Sequence, residues 1–327
     1  MQTFDRLSFD DGARVVFIGS STVASGHFIA KLFDYYSLHF PEKKVKFYNF
    51  GVPGETAKHF MKMKRNELLL ELQPTEVVLM FGMNDIGRGY YSDANRDDPE
   101  CKKKAEECKR THVEYTKQIG EFMKEHNQPI TLCSSQSYDE VSDIPAENLV
   151  GCHGAVLDIF RADIEALKPY GLKGVINLCE PMYDLLWQLK ERGLPSFIGA
   201  DRVHPTKVGH DVMARIILRE LGFLENYPTV DDIADGSVEL PPLSEVNQKR
   251  KTSEELWRSL TFFDFMLSWG QENMTDEEKC NYWIEQRKTM SEADGYRYTV
   301  AKYYPERKLH EKEYFADTMR YTDEMYD

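Results

Sequence analysis

The sequence predicts an α/β fold: a three-layer sandwich with a central parallel sheet of about five strands, followed by a mostly helical C-terminal extension. Two observations carry this expectation. From residue 14 to about 222, short β-branched or aromatic runs alternate with longer amphipathic ones, the order that builds a parallel sheet with right-handed crossovers. The short runs are nearly all apolar rather than alternating, as strands covered by helices on both faces require.

Strands are expected at residues 14–18, 45–49, 76–81, 129–134 and 174–178, and helices at 23–39, 56–72, 99–126, 146–168, 181–192 and 206–221. Residues 1–225 then form the main domain. A polar, acidic stretch at 226–251, broken by Pro228, Gly236, Pro241 and Pro242, reads as a linker or surface excursion. In the extension, residues 252–327, Thr252 with Glu255 and Thr275 with Glu278 have capping-box spacing, and Leu256, Leu260, Phe263 and Leu267 share a helical face. Its tail is rich in aromatic residues, Tyr296, Tyr298, Tyr303, Tyr304, Tyr314, Phe315, Tyr321 and Tyr326. That density is too high for a disordered tail and suits packing onto the main domain or a second subunit better than ligand stacking, which leaves a homo-oligomer formed through the extension open.

At 327 residues the chain can bury a large core without staples. Its six cysteines (Cys101, Cys108, Cys133, Cys152, Cys179 and Cys280) lack the spacing of a zinc knuckle or a dithiol motif and read as reduced thiols. A net charge of −14 disfavours nucleic-acid and anionic-membrane partners. Met1 to Asp11 has no basic segment leading into an apolar run, and no stretch is long and apolar enough to span a bilayer. A soluble, cytoplasmic protein acting on a neutral small molecule is the expectation, with no metal or other cofactor.

In such sheets ligands bind beyond the carboxyl ends of the strands, and four short segments lie at such ends or on the equivalent loop. Gly19-Ser20-Ser21 joins the first strand to a helix whose N–H groups can hold a developing oxyanion. Gly51-Val52-Pro53-Gly54 follows the second, and Gly54 can bring its N–H close to a ligand. Gly82-Met83-Asn84-Asp85 follows the third and offers the Asn84 amide as a donor. In Asp201-Arg202-Val203-His204 a carboxylate three residues before a histidine can reach Nδ1 and leave Nε2 free to take a serine proton. Taken singly these are a turn with an N-cap, a tight turn, a helix cap and a solvated ion pair.

Together, in this chain order over residues 14–221, the four segments resemble the blocks of the SGNH (GDSL-like) hydrolase family. The resemblance implies a flavodoxin-like sandwich and a serine esterase. Block by block, Ser21 matches the nucleophile, His204 the base and Asp201 its orienting carboxylate. Gly54 and Asn84 match oxyanion-hole donors, with the Ser21 N–H as the third. The family usually carries Gly-Asp-Ser where this chain has Ser20 in the middle, which bears on the shape of the nucleophile loop and leaves Ser20 as an alternative nucleophile. A Gly-x-Ser-x-Gly elbow is absent, because position 23 is Val. The substrate expected is a small acyl ester, acetyl above all, on an oligosaccharide or similar polar molecule. Phe197 and Ile198 are placed to narrow the acyl pocket or to pack the adjacent turn. Lipase, thioesterase and acyltransferase chemistry, and a non-catalytic carbohydrate-binding protein, stay open at this point.

Overall fold

The computed structural model describes residues 9–267, 274–294 and 296–324. The chain divides into two compact units, Met1–Leu243 and Ser244–Asp327.

In the first unit the five strands β1 (Arg14–Gly19), β2 (Lys46–Asn49), β3 (Glu76–Met80), β4 (Ile130–Cys133) and β5 (Leu172–Ile176) form one sheet in the order β2-β1-β3-β4-β5. Every pairing is parallel, with Phe17 opposite Asn49 on one side and Val78 on the other. This is the flavodoxin-like order. Val15, Val16, Phe17 and Ile18 are all buried, which accounts for the unbroken apolar run.

The helices of this unit are α1 (Ser21–Ser25), α2 (His27–His39), α3 (Ala57–Lys62), α4 (Arg65–Leu69), α5 (Pro99–Glu125), α6 (Cys152–Leu167), α7 (Cys179–Glu191), α8 (Lys207–Glu220) and α9 (Val230–Asp235). α2 packs with α8 and α8 with α7, while α3 packs with α5 and α5 with α6. These two groups are the outer layers that right-handed crossovers create when the chain steps from β1 to β2 in one direction and from β2 to β3 in the other.

Three helix boundaries differ from expectation, each for a backbone reason. The single helix expected at 23–39 is interrupted at Gly26, whose φ of 69° closes α1. The helix expected at 56–72 breaks where Lys64 adopts a φ of 54°. The one expected from 146 starts only at Cys152, after Gly151 at φ 103°. The stretch at 226–251 contains α9, opened by a reciprocal Thr229–Asp232 capping box.

The second unit comprises α10 (Glu245–Leu267), α11 (Asp276–Arg287), α12 (Tyr296–Leu309) and α13 (Glu311–Glu324). Thr275 and Glu278 form the expected capping box. Thr252 does not start a helix: it lies inside α10, with its hydroxyl donating to Gln248 O at 3.1 Å. Trp283, Val300, Ala301 and Tyr304 form one core cluster of this unit, with Tyr314 against them, and Phe315 lies 5.2 Å from the Trp257 ring. The side chains of Leu260, Phe263, Leu267, Tyr296, Tyr321 and Tyr326 lie outside the described residues.

Two glycines let the strand ends come together. A Cβ on Gly19 would stand 2.5 Å from Met80 O, and one on Gly51 would stand 2.4 Å from Ala24 N. Both obstacles are backbone, which cannot rotate away. Gly19→Ala and Gly51→Ala are each expected to lower stability by about 1–3 kcal/mol, read as a lower urea midpoint with unchanged slope. Wild-type midpoints would mean that this packing is looser than described.

Candidate active site

Ser21 is the first residue of α1 and follows β1 directly, so its backbone N–H belongs to the first helical turn, where no intrahelical acceptor exists. Its Oγ lies 2.7 Å from His204 Nε2. His204 Nδ1 donates to Asp201 Oδ2, while Asp201 Oδ1 accepts from the N–H groups of Val203 at 3.0 Å and His204 at 2.9 Å. Burial alone would raise the Asp201 carboxyl, but these hydrogen bonds outweigh it and hold the group below its ordinary range. A serine hydroxyl, an imidazole and a carboxylate therefore stand in series. Ser20 is buried, and Ser21 is the residue that contacts the imidazole.

The other two segments close around this line. Glu55 N–H donates to Val52 O at 3.1 Å, with Pro53 and Gly54 between them and Gly54 at φ 80°. Proline followed by a positive-φ glycine is the pattern of a type II turn, and it leaves Gly54 exposed. Asn84 Nδ2 donates to Glu55 O at 3.1 Å, and its Oδ1 accepts from Arg88 Nη2 at 3.3 Å. The amide is thus oriented by a partner at each end, with one N–H of Nδ2 left for another acceptor.

The loop carrying Asp201 and His204 is held by Arg202, which adopts a φ of 64°. Its buried guanidinium donates to four carbonyl oxygens: Ala146 and Asp139, each at 2.9 Å, Ser142 at 3.1 Å and Ile144 at 2.6 Å. An antiparallel bridge between Ile198 and Pro205 and a bond from Gly199 N–H to His204 O at 2.7 Å complete the hairpin. Phe197 and Ile198 are both buried, and neither is among the residues lining the cavity beside Ser21.

That cavity, of about 260 Å³, is bounded by Ser21, Thr22, Ser25, His27, His204 and His210 among others. His210 is buried: its ring stacks on Phe28 and its Nε2 lies 3.3 Å from Ser25 Oγ. A second cavity, of about 370 Å³, includes Asn84, Asp85, His59 and His112 in its wall.

Residues 15–217 match the model of the GDSL-like lipase/acylhydrolase family. The chain belongs to this family. It is accordingly a carboxylic ester hydrolase. An acetylxylan esterase of Geobacillus stearothermophilus is 23% identical over 238 residues, covering 66% of this chain and 97% of the relative. The crystal structure of an acetylxylan esterase from the same organism has a TM-score of 0.51 at 20% identity, covering 67% of this chain and 98% of that one. A gut microbial diltiazem-metabolizing enzyme has a TM-score of 0.74 at 16% identity and covers 98% of this chain and 96% of its own. At these identities the structural likenesses speak for the fold alone.

Two buried charge clusters of this hydrolase gave no signal in the sequence. Arg65 pairs with Glu55 at 2.5 Å, donates to Phe50 O at 3.0 Å and lies over the Phe50 ring. It fastens both ends of the Gly54 loop. Burial pushes the Glu55 carboxyl up, against the opposing pull of Arg65. Further in, His112 of α5 lies between two carboxylates, with Nδ1 2.8 Å from Asp85 Oδ1 and Nε2 2.8 Å from Asp163 Oδ2. The contact to Asp163 is an aligned hydrogen bond, whereas that to Asp85 is a charge pairing without hydrogen-bond alignment.

Burial alone would lower the His112 value, but the charges of Asp163 and Asp85 override it and hold the imidazolium up to about 10. A folded value above the unfolded one, roughly 6.5, contributes stability that is fully present below about pH 6.5 and is lost as pH rises through about 10. The thermal midpoint of the wild type should therefore fall more steeply between about pH 7 and 10 than that of His112→Asn. Parallel curves for the two proteins would show that His112 is neutral in the fold.

Proposed function

We propose that Ser21, His204 and Asp201 are the catalytic triad of this ester hydrolase and that the N–H groups of Ser21, Gly54 and Asn84 form its oxyanion hole. The observation that carries this reading is the 2.7 Å approach of Ser21 Oγ to His204 Nε2, with Nδ1 of the same ring engaged by Asp201. His204 takes the proton of Ser21 as the hydroxyl oxygen attacks the ester carbonyl. The three donors hold the resulting oxyanion, His204 returns the proton to the departing alcohol, and water then releases the acid from the acyl-enzyme by the same route.

A serine-directed phosphonate should label the wild type at Ser21 and leave Ser21→Ala unlabelled and inactive. Ser21→Ala with undiminished ester hydrolysis would move the nucleophile to another residue. Loss of one oxyanion donor, in Asn84→Ala, should lower kcat by about 10²–10³ in a folded protein.

The substrate we infer is a small acyl ester, acetyl foremost, on a carbohydrate or similar polar molecule. The cavity at Ser21 supports this, because Ser25, His27, Lys207 and His210 in its wall offer hydrogen-bonding groups to a polar substrate. The sequence similarity to an acetylxylan esterase points the same way. Among the described residues no helix is long and apolar enough to cross a membrane. With p-nitrophenyl esters of increasing chain length, kcat/KM should be highest for acetate and fall steadily. Cleavage of long-chain esters alone would overturn the acetyl reading while leaving the triad intact.

A further inference from the structure

Asp85 follows Asn84 in the chain but points away from solvent. Its Oδ1 accepts from Ala57 N–H at 2.9 Å and its Oδ2 from Gly82 N–H at 3.0 Å. Ala57 is the first residue of α3, three positions after Gly54, and Gly82 lies two before Asn84. One carboxylate therefore sets the spacing between the loop that presents Gly54 and the turn that presents Asn84. Both of its oxygens must stay acceptors to do so.

A buried carboxylate held by two backbone N–H groups is steadied further by a compensating cation, and removing that cation leaves a buried charge without its partner. The cation nearest to Asp85 is His112, 2.8 Å from Oδ1. It is itself anchored from the far side by Asp163 of α6, at 2.8 Å, with Thr116 Oγ1 3.3 Å from the same nitrogen. His112, Asp85 and Asp163 are all buried.

We propose that His112 is a positioning residue for catalysis: clamped between Asp163 and Asp85, it keeps the Asp85 carboxylate tied to both oxyanion loops and so fixes Gly54 and Asn84 relative to one another. This inference rests on the assignment of Gly54 and Asn84 as oxyanion donors. His112 pairs with Asp85, Asp163 and Thr116, not with Ser21 or His204. Its influence travels through one carboxylate and two backbone N–H groups, and a displacement of about 1 Å in a donor is enough to cost up to roughly a hundredfold in rate.

The test is a double-mutant cycle on p-nitrophenyl acetate hydrolysis, with kcat expressed per phosphonate-labelled active site so that loss of folded protein does not enter. His112→Gln, which keeps hydrogen bonding but removes the charge, should lower kcat by about ten- to a hundredfold with KM changed less than about twofold. In an Asn84→Ala background the same substitution should cost much less, because the donor it positions has already gone. An equal fold-loss in both backgrounds, or a change confined to KM, would overturn the inference. Should His112→Gln fail to fold, Asp163→Asn enters the same cycle: it frees the far side of the imidazole, and its smaller loss in kcat should likewise shrink when Asn84 is absent. Asn84→Ala with wild-type kcat would instead remove the oxyanion assignment, and this inference with it. A normal Asn84→Ala loss combined with additive His112 and Asp163 effects removes this inference alone.

Discussion

The close approach of three strand ends governs the rest of the molecule. β1 lies between β2 and β3, and the chain leaves all three in the same direction. Gly19 and Gly51 stand where any side chain would collide with backbone from a neighbouring segment. Because that space is empty of side chains, the helix that begins at Ser21 can lie against the Gly51 loop, and the loop bearing Gly54 can reach the Asn84 amide through Glu55 O. The point where the chain reverses its direction of travel across a doubly wound sheet is where ligands bind in such folds. Here it holds a serine, a turn glycine and an asparagine.

Packing brings the loops together, and buried charge keeps them from drifting. Arg65 with Glu55, His112 with its two carboxylates, and Arg202 with its four carbonyls tie the loops by short ionic or hydrogen-bonded contacts. Such groups are expensive to bury and strongly destabilising if left unpartnered. Partnered as they are, they hold the loops from behind. The loop carrying Asp201 and His204 depends on this most, because it is half exposed at its tip and anchored at its root.

The strands were legible because a strand covered on both faces has no polar positions, and that leaves an unmistakable run in the sequence. Of the four segments singled out, three were visible because each places glycine at a strand end, and the fourth because Asp201 and His204 stand three positions apart. Element breaks inside helical patterns were not. Apolar periodicity continues across Gly26 and Lys64, and only the backbone angles reveal the interruption. His112 and Asp163 sit on the buried faces of long amphipathic helices, 51 positions apart, and nothing local distinguishes them from any other polar residue there. Arg202 stood inside a recognised motif, yet its cradle comes from the distant 139–146 segment. The short helix α9 was within reach, since Thr229 and Asp232 have capping spacing, but the surrounding prolines and glycine dominated that stretch.

The serine and the histidine that meet at 2.7 Å are separated by 183 positions in the chain. Between them lie four of the five strands and six helices of the first unit. A ribosome emitting this polypeptide releases the hydroxyl early and the imidazole late, and loop closure over such a span is among the slowest events of folding. On the proposed triad, the nascent chain therefore has no imidazole to activate Ser21 until more than half of it has been synthesised.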